Sequence, residues 1–440
     1  MNFNFIEMKH ILVVLFFAIT HYCIAQESFD LLKQNYSGNV EWDASTSTVT
    51  FTSSGIINFS NKASNWLDPY SNKTMHAANW IWNVPTSVKK ILIKANVIVT
   101  GGFHMNNVII IEGEDRKTSK IFGTNIQTWA DANNPAKLDL EEWYYCQIQT
   151  YNGTCNIKNL TILNAFSFAV RGWGPQVHMK KVDVIDTRGG YHNHSDGFEG
   201  GDNSTIDSCY FETGDDIIKV YFMNLRVTNT EIKMVQNSVP IQFGWGNYNN
   251  GASATFENCK IWGSTGRGSD VRIIDNAGST ARNKTVVMNN CTIENPNGTL
   301  FRSAVTVNAP YAINVTINNS KVKVKSYEVA PYNVNGTRTI CGSTEKLTTY
   351  DCLPNTSLPA ISDNKNPVII SPNPVSNKMC IKNADQGSKM KIMDTFGRAV
   401  IEKTINNHDY TIDLAQLQAG VYFLNTNASN KNYSSVFIKN

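Results

Sequence analysis

Phe256-Glu257-Asn258-Cys259-Lys260-Ile261 and Met288-Asn289-Asn290-Cys291-Thr292-Ile293 are two copies of one pattern, and that pattern decides the fold. It stands also at 157–162 (IKNLTI), 179–184 (MKKVDV), 206–211 (IDSCYF), 227–232 (VTNTEI) and 317–322 (INNSKV). Aligned on Leu160, Val182, Cys209, Thr230, Cys259, Cys291 and Ser320, the copies step by 22, 27, 21, 29, 32 and 29 residues. Each copy is one alternating strand, and none can bury its apolar face alone. Stacked as coils, the copies share a continuous core. Leucine-rich and helical repeats keep a stricter period. The irregular step predicts an all-β chain, a right-handed parallel β-helix whose insertions leave through the turns.

A second strand falls between the copies. The segments 168–173 (FAVRGW), 196–201 (DGFEGG), 216–221 (DIIKVY), 241–246 (IQFGWG), 271–276 (VRIIDN) and 304–309 (AVTVNA) are its candidates. Neighbouring strands of one sheet lie about 4.8 Å apart. The outer face of this sheet carries Asp, Glu, Lys, Arg, Gln, Tyr and Trp, and it forms a groove for an elongated ligand. Residues 27–100 also read as strands, with Thr48-Val49-Thr50-Phe51 and Ile91-Leu92-Ile93-Lys94 as examples, and supply the first coils and their cap.

Composition agrees. The 440 residues are 41% hydrophobic, with 28 Gly, 17 Tyr and 9 Trp, which fits an ordered, turn-rich protein. Asn is abundant, and Asn tolerates the positive φ of tight turns. The chain has 39 Lys+Arg against 36 Asp+Glu, so it lacks the basic footprint of a nucleic-acid binder. Over 27–350 the count is 29 basic to 28 acidic, which exerts no global pull on a polyanion.

Both ends of the chain read as addresses. Met8-Lys9-His10, the apolar run 11–20 and Ala25 before Gln26 read as a signal peptide over 1–25, with Met8 as an alternative start. The run is too short to span a bilayer, and no other segment is long and apolar enough. Bulky His21-Tyr22 before Cys23 argues against a lipid anchor. Removing Cys23 leaves eight cysteines, of which Cys341 with Cys352, and Cys146 with Cys155, are spaced for small disulfide loops in an oxidising compartment. Cys209, Cys259 and Cys291 occupy the repeat position and read as stacked buried thiols.

The β-helix is expected over 26–345, a linker over 346–365 and a separate domain over 366–440. That last domain opens on Ser371-Pro372-Asn373-Pro374-Val375 and continues in short strands separated by turns, which makes a small β-sandwich. Its run SPNPV…DTFGRAV…IDLAQLQAGVYFL…IK resembles the type A sorting domain of the type IX secretion system of Bacteroidetes. The resemblance implies recognition by that secretion machinery, passage over the outer membrane and removal of the domain, leaving a secreted or cell-surface protein.

Chemistry concentrates on three aspartates. His194-Ser195-Asp196-Gly197-Phe198-Glu199 begins one groove strand, and Gly214-Asp215-Asp216-Ile217-Ile218-Lys219 begins the next. Asp196 and Asp216 are equivalent positions one coil apart, with Asp215 beside them. Three carboxylates so close cannot all ionise freely, so at least one pKa should rise. Glycoside hydrolysis needs such a division: an acid for the leaving oxygen and a base for water. An Asp ladder capping turns, or a calcium site, is the competing reading. The segment 190–246 resembles the polygalacturonase-like clan of β-helical glycoside hydrolases, closest to the dextranase and isopullulanase family, glycoside hydrolase family 49. There a D-G motif is followed, after the same interval, by D-D-x-x-K-x-Y, matched here by Asp196-Gly197 and Asp215-Asp216-Ile217-Ile218-Lys219-Val220-Tyr221; Gln242-Phe243-Gly244-Trp245 matches its Q-x-G-W. The resemblance implies Asp215 as general acid, Asp196 and Asp216 as holders of the attacking water, and no cofactor or metal. Family members usually carry a large N-terminal β-sandwich for which this chain has no room, so the substrate does not carry over.

Among other groove residues, Lys219 can hold an Asp in its charged form, and Trp245 and Tyr221 can stack on sugar rings. Gln242 and Glu199 can bond hydroxyls, His192 and His194 lie beside Asp196, and Arg171, Arg188 and Arg272 can meet sulfate or carboxylate. The expected function is a monomeric, endo-acting, inverting polysaccharide hydrolase, on an α-linked glucan or, as rival, a marine sulfated polysaccharide. A polysaccharide lyase and a non-catalytic glycan-binding β-helix are the readings from other classes. New reducing ends separate the hydrolase from the binder, and unsaturated products mark the lyase.

Overall fold

The computed structural model describes residues 29–59, 80–125, 146–172, 174–188, 195–235, 238–243, 251–263, 272–276, 283–303, 313–328, 336–353, 369–382, 386–394, 398–407, 409–428 and 431–440. The chain forms two compact units, Met1–Pro354 and Asn355–Asn440.

The first unit is a parallel β-helix. Its coils supply strands to three stacks. The groove stack runs Ile81–Val84, Gly102–Met105, Ile148–Thr150, Phe168–Gly172, Asp196–Glu199, Asp216–Lys219, Val239–Gln242, Arg272–Asn276 and the end of Thr292–Ser303. The other two stacks are the two halves of each repeat. Cys155–Leu163 and Val177–Ile185 run through both, and later coils break into pairs such as Thr205–Asp207 with Tyr210–Glu212.

The bend between the two halves has a local cause, whether or not the strand is interrupted there. The residue before each aligned repeat position is left-handed: Asn159, Lys181, Ser208, Asn229, Asn258, Asn290 and Asn319 have φ between 46° and 56°. Asn adopts that conformation at low cost, which accounts for five of the seven. The turn redirects the chain, and the residue after it points inward. Cys209, Cys259 and Cys291 are buried there, with each thiol donating to the carbonyl two residues back.

Three inward rows make the core. Ile157, Met179, Ile206, Val227, Phe256, Met288 and Ile317 lie in register in one stack. Ile162, Val184, Phe211, Ile232, Ile261, Ile293 and Val322 do so in the second. Val170, Phe198, Ile218, Ile241, Ile274 and Phe301 form the groove stack's inner row. All are buried, and each such side chain contributes about 1.5–3 kcal/mol of transfer free energy. Hydrophobic registry between coils is therefore what stacks the helix.

The ends are closed differently. A short helix over 29–34 adds Phe29 and Leu32 to the core, and Val40–Asp43 pairs antiparallel with Thr48–Phe51. At the other end Thr349–Asp351 pairs antiparallel with Lys321–Glu328, and Cys341–Cys352 forms a disulfide. This corrects the linker expected from residue 346: the pairing and the disulfide keep the chain in the helical unit up to 353. The disulfide expected between Cys146 and Cys155 is not formed, and both side chains are buried thiols. Cys155 packs into the apolar core, whereas Cys146 precedes a groove strand and meets Arg171, so the two face different surroundings. The sixth groove strand is also displaced. Residues 304–309 lie outside those described, and the strand that pairs with Arg272–Asn276 is at 299–303.

The second unit is a β-sandwich of two antiparallel sheets. Ile369–Ser371, Lys378–Lys382 and Tyr410–Asp413 form one; Ala399–Thr404, Lys389–Met393, Gly420–Ala428 and Lys431–Lys439 form the other. Its core of Met379, Ile381, Met390, Ile392, Leu414, Leu424 and Phe437 is its own. Because each unit has a separate core, deletion from residue 366 onward should leave a helix that unfolds cooperatively at an unchanged Tm by calorimetry. A lost or broadened transition would show that the tail completes the fold.

Candidate active site

Gly197 brings the aspartates together. A Cβ at that position would lie 2.3 Å from the Ile217 carbonyl oxygen, so only glycine lets the next coil approach. Phe198 then pairs with Ile218 and Glu199 with Lys219, which places Asp196 above Asp216. The Asp216 N–H donates to Asp196 Oδ1 at 3.1 Å. Oxygens of Asp196, Asp215 and Asp216 lie within 4.8 Å of one another. These are the three aspartates that the two motifs single out, and the fold gathers them at the edge of the groove sheet. Asp196 and Asp216 are buried, and Asp215 is partly exposed.

Lys219 is the counter-charge. Its Nζ lies 3.1 Å from Asp196 Oδ2 and 2.9 Å from Asp216 Oδ2, and 4.9 Å from the Phe168 ring centroid. Burial would lower its pKa, but Asp196 and Asp216 hold it well above the ordinary lysine value. Burial raises Asp196 well above the carboxylate range; Lys219 opposes this, and Asp216 and Asp215 add to it. Burial likewise pushes Asp216 up to about 6 against the pull of Lys219. A proton is thus retained in this cluster at pH values where free carboxylates have lost theirs. The three oxygens are also grouped closely enough to hold a cation, and the Lys219 ammonium supplies positive charge to two of them.

One row crosses the outer face of the sheet in register: His104, Gln149, Arg171, Glu199, Lys219, Gln242, Asp275 and Arg302. Glu199 is buried, with Arg171 Nε 3.4 Å from its Oε2, and burial raises its pKa despite Arg171 and Lys219. Gln242 is buried beside Lys219, one strand on. Tyr221 is buried, not an open stacking platform. His192, His194 and Trp245 lie outside the described residues.

The arginines expected to meet a polyanion face carboxylates of the chain itself. Arg171 faces Glu199, and Arg188 Nη2 is bonded to Asp186 Oδ2. Arg272 is 3.6 Å from Asp275, which Arg302 also clasps at 2.9 and 2.6 Å. Asp186, Asp275 and Arg302 have no place in the sequence reading. Asp186 also accepts a hydrogen bond from Ser195, whose Oγ takes the Gly214 N–H at 2.9 Å and whose carbonyl takes the Asp215 N–H at 3.1 Å. An Asp two residues before an Arg and nine before Ser195 was visible, but nothing local marks it as the support of Asp215.

Residues 370–440 match the family described as the secretion system C-terminal sorting domain. No curated protein sequence matches the chain. Among solved structures, Dex49A from Penicillium minioluteum is similar over 65% of this chain and 56% of its own length, with 14% identity and a TM-score of 0.42. The similarity thus spans little more than half of that structure. Among the described residues, no helix is long and apolar enough to cross a membrane.

Proposed function

We propose that the β-helix is an exported polysaccharide hydrolase that cleaves glycosidic bonds with inversion, acting endo on a neutral, dextran-like α-linked glucan. The observation that carries this reading is the cluster of Asp196, Asp215 and Asp216 around Lys219 on the edge of a long polar sheet. Asp215, the least buried of the three, gives a proton to the leaving glycosidic oxygen. Asp196 and Asp216 hold a water and take its proton as its oxygen attacks the anomeric carbon. The carbon–oxygen bond breaks, and one water is consumed. Lys219 opposes the protonation of Asp196 and Asp216 that burial favours.

Neutral sugar is favoured over sulfated sugar by two features. Gln149 Oε1, both Glu199 carboxylate oxygens and Gln242 Oε1 are buried and have no hydrogen-bond donor among the described residues, Arg171 aside. Buried acceptors call for donors, which sugar hydroxyls are and sulfates are not. Among the described residues, the groove arginines Arg171, Arg272 and Arg302 also already face carboxylates. The sorting domain supports export through the type IX machinery, with a signal peptide over 1–25 for the inner membrane.

A reducing-end assay over a panel of neutral and sulfated polysaccharides tests the reading. New ends are expected from a neutral glucan, and binding without new ends, or ultraviolet-absorbing products, would replace it. Stereochemistry is a second check. The nearest oxygens of the three aspartates lie within 4.8 Å of one another, closer than the roughly 6.5–9.5 Å of a two-carboxylate inverting pair. The inverting reading therefore rests on the third carboxylate: two grip one water while the third protonates the leaving oxygen. Proton NMR early in hydrolysis should show the anomer opposite to the substrate's; retention, or a trapped glycosyl-aspartate, would rule out these roles.

A further inference from the structure

Upstream of the aspartates the polar row continues through His104 and Gln149, which are in register with each other and with Arg171. At about 4.8 Å per strand, Gln149 lies about 10 Å from Glu199. Tyr151 follows this strand and is 44% exposed. Its hydroxyl reaches His104 Nδ1 at 3.3 Å, and the two rings meet edge to face at 5.7 Å. The other ring nitrogen, Nε2, lies 3.1 Å from the Cys146 carbonyl, an acceptor. Nε2 therefore carries the hydrogen, and Nδ1 accepts from Tyr151. Burial lowers the pKa of His104 to about 4, so the ring is neutral at neutral pH and keeps this tautomer.

The consequence is a tyrosine held at its polar end with its ring left partly open. Since His104 belongs to the outward row, the Tyr151 ring lies over the groove face. Beside it, Gln149 is 3% exposed and its Oε1 has no donor among the described residues. A pyranose offers what both lack, an apolar C–H face for the ring and hydroxyl donors for the amide oxygen.

We propose that Tyr151 and Gln149 form a distal sugar-binding subsite that takes one neutral pyranose of a chain whose scissile bond lies at the aspartates; it rests on the hydrolase reading above. The subsite makes the enzyme prefer long chains, because a short oligosaccharide at the aspartates ends before reaching Tyr151.

The test uses dextran oligosaccharides, short and long, on the full chain. In Tyr151→Ala the ratio of kcat/KM for long over short substrates should fall about 5- to 10-fold, the size of one aromatic contact. Tyr151→Phe, which keeps the ring, should retain most of the ratio. Calorimetry on Asp215→Asn with and without Tyr151→Ala should show the same loss in affinity for long chains. An unchanged ratio and unchanged long-chain affinity in Tyr151→Ala would overturn the subsite. If the wild-type chain releases no reducing ends from dextran, the hydrolase reading on that glucan fails separately, and the binding measurement still decides the subsite.

Discussion

Asp215→Asn is expected to lower turnover by about 10²–10⁴-fold while long-chain affinity stays within about threefold, because the amide keeps shape and loses the proton. The expectation follows from the fold. Asp215 is the member of the cluster open to the groove, while Ser195, held by Asp186, fixes the backbone of Gly214 and Asp215. Asp196→Asn and Asp216→Asn should be comparably severe, since either change removes an oxygen from the water-holding pair. Single-turnover rates and calorimetry on the three variants provide the check. Near-normal turnover in any one of them would remove that residue from the mechanism.

Lys219→Met is expected to cost stability on the order of 3–5 kcal/mol at pH 8, the usual consequence of stripping a buried ion cluster of the cation that contacts two of its carboxylates. The pH dependence gives the prediction its sign. Asp216 has a folded pKa of about 6 against 3.8 for a free aspartate. A raised carboxylate pKa contributes stability that is complete below the unfolded value and is lost as pH rises through the folded one. Lys219 limits that loss by stabilising the charged carboxylates. Without it, Asp196 and Asp216 must fold protonated or pay the full cost of a bare buried charge. The gap in Tm between wild type and Lys219→Met should therefore be wide at pH 8 and narrow near pH 4. An equal gap at both values would mean that Lys219 acts through packing on Phe168 alone. In the wild type, the acid limb of the kcat/KM profile should fall near pH 6, where Asp216 takes up its proton and stops serving as base. In Lys219→Met any residual activity should show that limb displaced to higher pH.

The sequence alone determined the repeat, and with it the fold. The inward rows, the left-handed residue before each aligned position and the separate tail are local patterns, and a β-helix is built from local patterns repeated. Asp196 and Asp216 were legible for the same reason: the coil between them is short and carries no insertion, so equivalence in sequence becomes adjacency in space. Tertiary structure decided what depends on the register between distant coils. Asp275 and Arg302 are 27 residues apart with an insertion between them, and the true groove strand at 299–303 precedes the one that alternation suggested. Cys146 and Cys155 are close in sequence and spaced for a bridge, yet one lies in the core and the other beside Arg171. The pairing of the groove arginines Arg171, Arg272 and Arg302 with carboxylates is also tertiary, and it turned a face that reads as anion-seeking into one where these charges are already matched. Side-chain chemistry is written in the chain, but its partners are set by which coil lands on which, and that is fixed only when the hydrophobic rows come into register.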